Sequence, residues 1–265
     1  RYVSDSMRRI WSEQHKYELW RKIWVALAKV QQTAGLVSRL ELLDLVKHQN
    51  TIDINRILEI EKETKHDVVA AIREFAEKAT IGGGKIHLGA TSMDIYENTE
   101  ILRMAEALQR IDAGLRKLLV SFSTHITRYA NVPCMGYTHL QPAEPTTVGY
   151  RLASYAQDLL IDLNFLTFVC NNLKAKGMKG PVGTRGSFTQ VLEGSGVSAA
   201  TFDKEVMNIL GAEALEVANQ VYPRKFDYLV LTALASVCAS VAKFAGDLRI
   251  LQMPAIGEWS EPFGK

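Results

Sequence analysis

Cysteine is scarce in this sequence, sustained strand-like alternation is missing, and neither sign of charge dominates. The three cysteines, Cys134, Cys170 and Cys238, are odd in number, far apart and without CxxC spacing. That excludes a disulfide framework and a cysteine-based zinc site, and it fits a reducing, cytoplasmic setting. Lys and Arg number 31 against 29 Asp and Glu, a formal net charge of +2. Bulk charge therefore gives no drive toward nucleic acid, and any anion site must be small and local. The stretch Arg1 to Lys22 is dense in charge and has no apolar core of the kind a secretory signal carries. The longest uncharged stretch, Leu229 to Ala242, falls well short of the ~20 apolar residues that a membrane span needs. Its Ala, Ser and Leu read as a helix buried on most sides, so no membrane partner is expected.

What is present is an ordinary globular composition: 265 residues, 47% hydrophobic and 23% charged, enough for a sizeable core in one large domain or two modest ones. Proline and glycine are clustered, and the stretches between the clusters repeat at helical spacing. The expectation is an all-α fold with, at most, a minor hairpin. A first pattern, Met7 to Ala34, stops at Gly35, a natural helix terminator. A short helix near Leu40 to His48 follows, and then one capped by Asp53 that resumes after an interruption at Lys65-His66-Asp67. Three long patterns dominate: Tyr96 to Tyr129, Thr146 to Lys174 and Arg224 to Met253. At about 1.5 Å per residue each reaches roughly 45 Å, and such helices bury their surplus apolar face against another subunit.

Three polar segments marked by glycine or proline stand out as candidate site loops: Gly82 to Asp94, Pro133 to Thr147 and Gly180 to Ser187. Gly82-Gly83-Gly84-Lys85 is not a Walker phosphate loop, since Ile86 stands where a Ser or Thr is required. Thr91-Ser92 ahead of a helix serves either as a cap or as a hydroxyl pair that holds a carboxylate. His139, set between Thr138 and Gln141-Pro142, is either satisfied by its own loop backbone or a general acid or base, since an imidazole titrates near neutral pH. His66 precedes Asp67, but neighbouring side chains on a helix do not face each other, so Asp67 is expected to cap or contact backbone. His15, His48, His87 and His125 have no partner at ligand spacing and HExxH is absent, so no metal is expected. Arg185 and Arg224 suit either an anion contact or a solvated surface.

Read in order, these segments resemble the fumarase/aspartase superfamily and, within it, the adenylosuccinate lyase family. The residues that carry the resemblance are Arg1-Tyr2 with Met7 and Trp11, KHDVVA (65–70), HLGATSMD (87–94), YTHLQPAEPTT (137–147), GPVGT (180–184) and EPFGK at the end. The chain departs from the family in having Lys65 where arginine is usual, which keeps the charge and loses the bidentate fork. The family's Gly-Ser-Ser-x-Met-Pro signature loop is not among these residues, so the chain is expected to be incomplete.

The resemblance implies a long-helix bundle of the fumarase/aspartase type: a smaller helical N-terminal domain over residues 1–93, and a bundle domain over 94–265 that stops short of the signature loop. It implies cleavage of adenylosuccinate to AMP and fumarate, and of the succinyl-aminoimidazole-carboxamide ribotide to its carboxamide and fumarate. Neither metal nor organic cofactor is implied. His139 matches the general acid, and His66 a second active-site histidine that orients substrate or contacts phosphate. Arg1 and Tyr2 match phosphate contacts, Lys65 and Asp67 substrate contacts, and Thr91 and Ser92 contacts to the fumarate-forming half. Gln220 matches a substrate-contacting glutamine, while Thr138 and Gln141 flank the acid. The implied assembly is a cytoplasmic homotetramer with active sites shared between subunits. The competing expectations are another fumarate-releasing lyase or cycloisomerase of the superfamily, and a non-catalytic helical assembly protein.

Overall fold

A computed structural model describes residues 2–261; the expected phosphate contact at Arg1 lies outside the described residues. The elements in chain order are α1 (Asp5–Ile10), α2 (Glu13–Thr33), α3 (Arg39–His48), α4 (Ile54–Thr64), α5 (Asp67–Lys78), a 3-10 turn (Gly83–Lys85), α6 (Ser92–Arg128), β1 (Pro133–Thr138) and β2 (Gln141–Thr147). These are followed by α7 (Val148–Asn172), α8 (Gly186–Val191), α9 (Ala199–Leu210) and α10 (Lys225–Leu251). The all-α expectation holds, with one hairpin added.

Helix starts follow side-chain caps. The hydroxyls of Ser4, Ser12, Ser38 and Ser198 and the carboxylate of Asp53 each accept from a backbone N–H three residues on, which satisfies donors that the first turn leaves unpaired. Ser12 corrects one expectation: the Met7-to-Ala34 pattern is two helices, because Ser12 stops α1 and caps α2 through the N–H of His15. Gly35, at φ 75, ends α2 as expected.

The chain forms two compact units, Arg1–Ala107 with Leu173–Arg224, and Leu108–Asn172 with Lys225–Lys265. This differs from the continuous 1–93 and 94–265 division, because α6 runs through the boundary and the segment after α7 returns to the first unit. The first unit is built on α2, whose Trp20 and Trp24 are fully buried. Trp20 meets Tyr17 and Tyr96 edge-on at 5.2 and 4.9 Å between ring centroids, a favoured aromatic geometry. Arg21 is buried against Glu74 and stacks over Phe75 at 4.2 Å.

In the second unit α7 packs along α10, and Phe244 meets Phe122 and Tyr155 at 5.2 and 5.1 Å. Gly149 allows α7 to begin against the end of α6: its N–H donates to the Tyr129 carbonyl at 2.9 Å, and a Cβ there would lie 2.7 Å from the Ile126 carbonyl oxygen. The expectation that α10 is buried on most sides fails within this chain. Only Val230, Ala233 and Leu251 of α10 are buried, and Tyr228 and Leu231 are exposed. By length and composition alone α10 could cross a membrane. Its polar pairs, Tyr155 to Asp247 and Ser236 to Asp162, are of the kind that helices make in a bundle.

Candidate functional site

The first unit brings His66, Asp67 and Ser92 together. Lys65 ends α4 in the left-handed conformation (φ 54), which turns the chain so that His66 becomes the extended N-cap of α5. Freed from helical geometry, His66 reaches Asp67 after all, with Nδ1 3.5 Å from Oδ1. The same Asp67 oxygen accepts from the Val68 N–H at 2.7 Å, the backbone contact expected of it. On its other side His66 Nε2 lies 3.4 Å from the Ser92 hydroxyl in the first turn of α6. Carboxylate, imidazole and hydroxyl thus form a chain, with the histidine side chain 46% exposed and accessible to a ligand.

His87 belongs to this region although its spacing gave no sign of a role. Burial pulls its pKa down to about 4, against the opposing influence of Asp94 and with a smaller push in the same direction from His66. Its Nδ1 accepts from the Trp24 indole N–H at 3.1 Å, so the ring is neutral near pH 7 with its proton on Nε2. The indole comes from a helix 63 positions earlier, a separation that no local pattern can show.

Polar residues in the first turns of α6 moor two distant segments, 176–180 and 222–224. Asp94, fully buried, takes the Lys176 ammonium and the N–H groups of Lys179 and Gly180, both at 3.1 Å. Its second oxygen accepts from the Thr91 N–H at 3.0 Å, so Asp94 rather than the Thr91 hydroxyl closes the cap. Asn98 holds Gly177 through both its N–H and its carbonyl. Glu97 takes the Tyr222 N–H at 2.9 Å and Arg224 at 2.8 Å, just beyond exposed Gln220. Arg185 is not a solvated cation: it shares Asp203 with Lys179, at 2.9 and 2.6 Å. Burial pulls the Lys179 ammonium pKa down, and Asp203 opposes the shift. The Gly180-to-Ser187 loop also touches the Gln220 segment, since a Cβ on Gly183 would overlap the Ala218 carbonyl.

Thr138, His139 and Gln141 stand on the second unit. Pro133 to Thr147 is an antiparallel hairpin rather than a loop, with Thr138 opposite Gln141 and a register shift between Gly136 and Tyr137. Pro142 and Pro145 obscured it, because proline lacks a ladder donor and is confined to strands with a free edge. His139 and Leu140 form the two-residue apex, both at positive φ (52 and 60). That is the turn that suits a hairpin's twist, normally filled by Asn-Gly. His139 borders a cavity of about 400 Å³ lined also by Tyr137, Arg151, Tyr155 and Asp247. A larger cavity in the same unit, about 530 Å³, is mostly apolar and holds none of the nominated residues. Tyr2 is exposed at the N-terminal end of the described chain. Among the described residues no group of three or more His, Cys, Asp or Glu could hold a metal ion.

A family model described as lyase matches residues 3–264. The chain belongs to the lyase family. Among the curated relatives of this lyase chain, the adenylosuccinate lyase of Saccharomyces cerevisiae is 33% identical over 270 aligned positions, covering 100% of this chain and 56% of that protein. The adenylosuccinate lyase of Methanocaldococcus jannaschii is 33% identical, over 99% of this chain and 56% of its own. The lyase chain thus spans little more than half the length of these relatives. The fumarate lyase from Mesorhizobium sp. BNC1 shares the fold at TM-score 0.87 and 22% identity, covering 98% of this chain and 60% of that one. The 3-carboxy-cis,cis-muconate lactonizing enzyme from Pseudomonas putida does so at 0.87 and 23%, over 99% and 60%.

Proposed function

We propose that this chain is the larger part of an adenylosuccinate lyase, which cleaves adenylosuccinate to AMP and fumarate and the succinyl-aminoimidazole-carboxamide ribotide to its carboxamide and fumarate. The observation that carries the reading is an agreement of two kinds. The chain is 33% identical to an adenylosuccinate lyase along its whole length, and the segments that carry the sequence resemblance hold the His66–Ser92 contact and the strained His139 apex.

The reaction is a β-elimination. A base removes a proton from the carbon beside a carboxylate, the carbon–nitrogen bond breaks to leave the fumarate double bond, and the departing nitrogen takes a proton from an acid. His139, on an exposed apex, is the acid. The base is a serine of the family's signature loop, whose motif is not among these 265 residues. Thr91 and Ser92 hold the fumarate-forming half, His66 orients the substrate with Asp67 and Ser92 fixing its ring, and Lys65 supplies positive charge. Thr138, Gln141 and Gln220 supply polar contacts, and Arg1 and Tyr2 meet the phosphate. No metal or organic cofactor has a step to perform. The assembly is a cytoplasmic homotetramer with shared sites. The bare faces of α7 and α10 support that reading better than a bilayer does, because exposed Lys243 and Arg249 would be costly among lipid chains.

The test is to incubate the whole encoded protein with adenylosuccinate and follow the ultraviolet change together with fumarate release. Absence of both products refutes the reading, and activity only on other succinyl or muconate substrates moves the chain to a different branch. Full activity in a His139→Ala variant would remove the acid assignment.

A further inference from the structure

The hairpin that carries His139 has little burial of its own: five consecutive residues of β2, Gln141–Pro145, are exposed. Two side chains from outside the ladder hold its other strand. The Met135 N–H donates to Glu258 Oε1 at 3.1 Å, the Met135 carbonyl accepts from Arg151 Nη2, and Arg151 Nη1 donates to the second Glu258 oxygen. Arg151 and Glu258 are largely buried, with side chains 11% and 18% exposed. Met135 lies opposite Pro145, which has no N–H to offer, and directly before the register shift at Gly136/Tyr137. The ion pair therefore satisfies both backbone groups of Met135 on the open edge of this two-stranded hairpin, close to where the ladder slips. Four residues further on, the same strand delivers His139 to the cavity that Arg151 also lines.

We propose that Arg151 is a positioning residue for His139. With Glu258 as its partner and without itself touching substrate, Arg151 fixes the register and direction of β1 and so holds the apex imidazole in place. The fork matters: one planar guanidinium bridges a carbonyl and a carboxylate at once, which the point charge of a lysine cannot do in the same geometry. The inference rests on the reading of His139 as the acid.

The test uses the whole encoded protein with four variants: Arg151→Met, Arg151→Lys, Glu258→Gln and, as a control for loss of a surface charge, Lys117→Met on the exposed side of α6. Misplacing an acid by about 1 Å costs on the order of 100-fold in rate. Arg151→Met is therefore expected to lower kcat by about that factor while KM stays within about twofold, and Arg151→Lys to recover only a small part of the loss. Glu258→Gln keeps an acceptor for the Met135 N–H and serves if Arg151→Met does not fold; it too should lower kcat rather than raise KM. Lys117→Met should match the unaltered protein.

In parallel, amide exchange at Met135 should accelerate and the His139 ring resonances should move in the Arg151 variants, whether or not a substrate is known. If the unaltered protein cleaves no succinyl substrate, the functional reading fails while these two measurements still decide the positioning claim. Unchanged kcat in Arg151→Met, full rescue by lysine, or unmoved Met135 and His139 signals would each overturn it.

Discussion

The unit that carries His66 and Ser92 buries its charges, whereas the unit that carries His139 exposes its apolar side chains. In the first, Arg21 and Glu74, Lys176 and Asp94, and Lys179 and Asp203 are paired with almost no solvent exposure, and their remaining valences go to backbone groups of the loops they hold. In the second, Tyr150, Ile161, Phe168, Tyr228 and Leu231 are each more than half exposed on α7 and α10. The buried charges of one region find their partners within one chain, and the long helices of the other display the kind of apolar surface that marks an interaction site. Precision in the first comes from ion pairs that cannot be halved, and in the second from whatever covers the helices.

Mutations should therefore act in opposite ways on the two regions. The largest effect is expected from Asp94→Ala, which strands a fully buried Lys176 ammonium. Breaking one side of such a pair costs about 3–5 kcal/mol, measurable by denaturant unfolding, and a loss below about 1 kcal/mol would mean that the network is not holding the unit. Next comes acid. The folded value of His87 lies near 4, below its ordinary 6.5, so on acidification the unfolded chain takes up the proton first. The stability associated with neutral His87 is complete above about pH 6.5 and is lost as pH falls toward 4, on the order of 3 kcal/mol in all. In a His87→Gln variant the stability profile between those pH values should flatten; an unchanged slope would assign the acid sensitivity elsewhere.

Ser38 closes a reciprocal capping box with Glu41 at the start of α3, and Ser38→Ala should cost about 1 kcal/mol by thermal or chemical unfolding. At the small end, Ile161→Glu and Leu231→Glu on the bare helix faces should move the folding free energy of a single chain by no more than about 0.5 kcal/mol. The same two variants should shift the sedimentation of the whole protein toward smaller species. If they unfold the chain and leave its association untouched, the contrast between the regions is wrong.

The long helices were legible in the sequence because their apolar steps recur over many turns, and α6, α7 and α10 begin and end within a few residues of the spacing-derived limits. The break at Ser12 was also legible, since a serine followed by Glu-Gln-His is a start signal that the longer pattern overrode. The hairpin was hidden by its prolines. The exposed faces of α10 could not be anticipated, because hydrophobicity states that a residue prefers burial and does not state against which chain. At the site, motif order nominated His66 and Ser92 but not the contact between them, and the roles of Asp94, Glu97 and His87 depend on partners many tens of residues away.

The apex of the hairpin has a practical consequence for anyone engineering this protein. Two ordinary L-residues sit there in a conformation that costs each roughly 1–2 kcal/mol, and exposed Leu140 gains little packing in return. A laboratory selection that rewarded heat resistance alone would be drawn to positions 139 and 140 and would converge on Asn-Gly, the pair that such turns favour. It would deliver a sturdier scaffold with its imidazole removed. Libraries built for stability should hold those two positions constant.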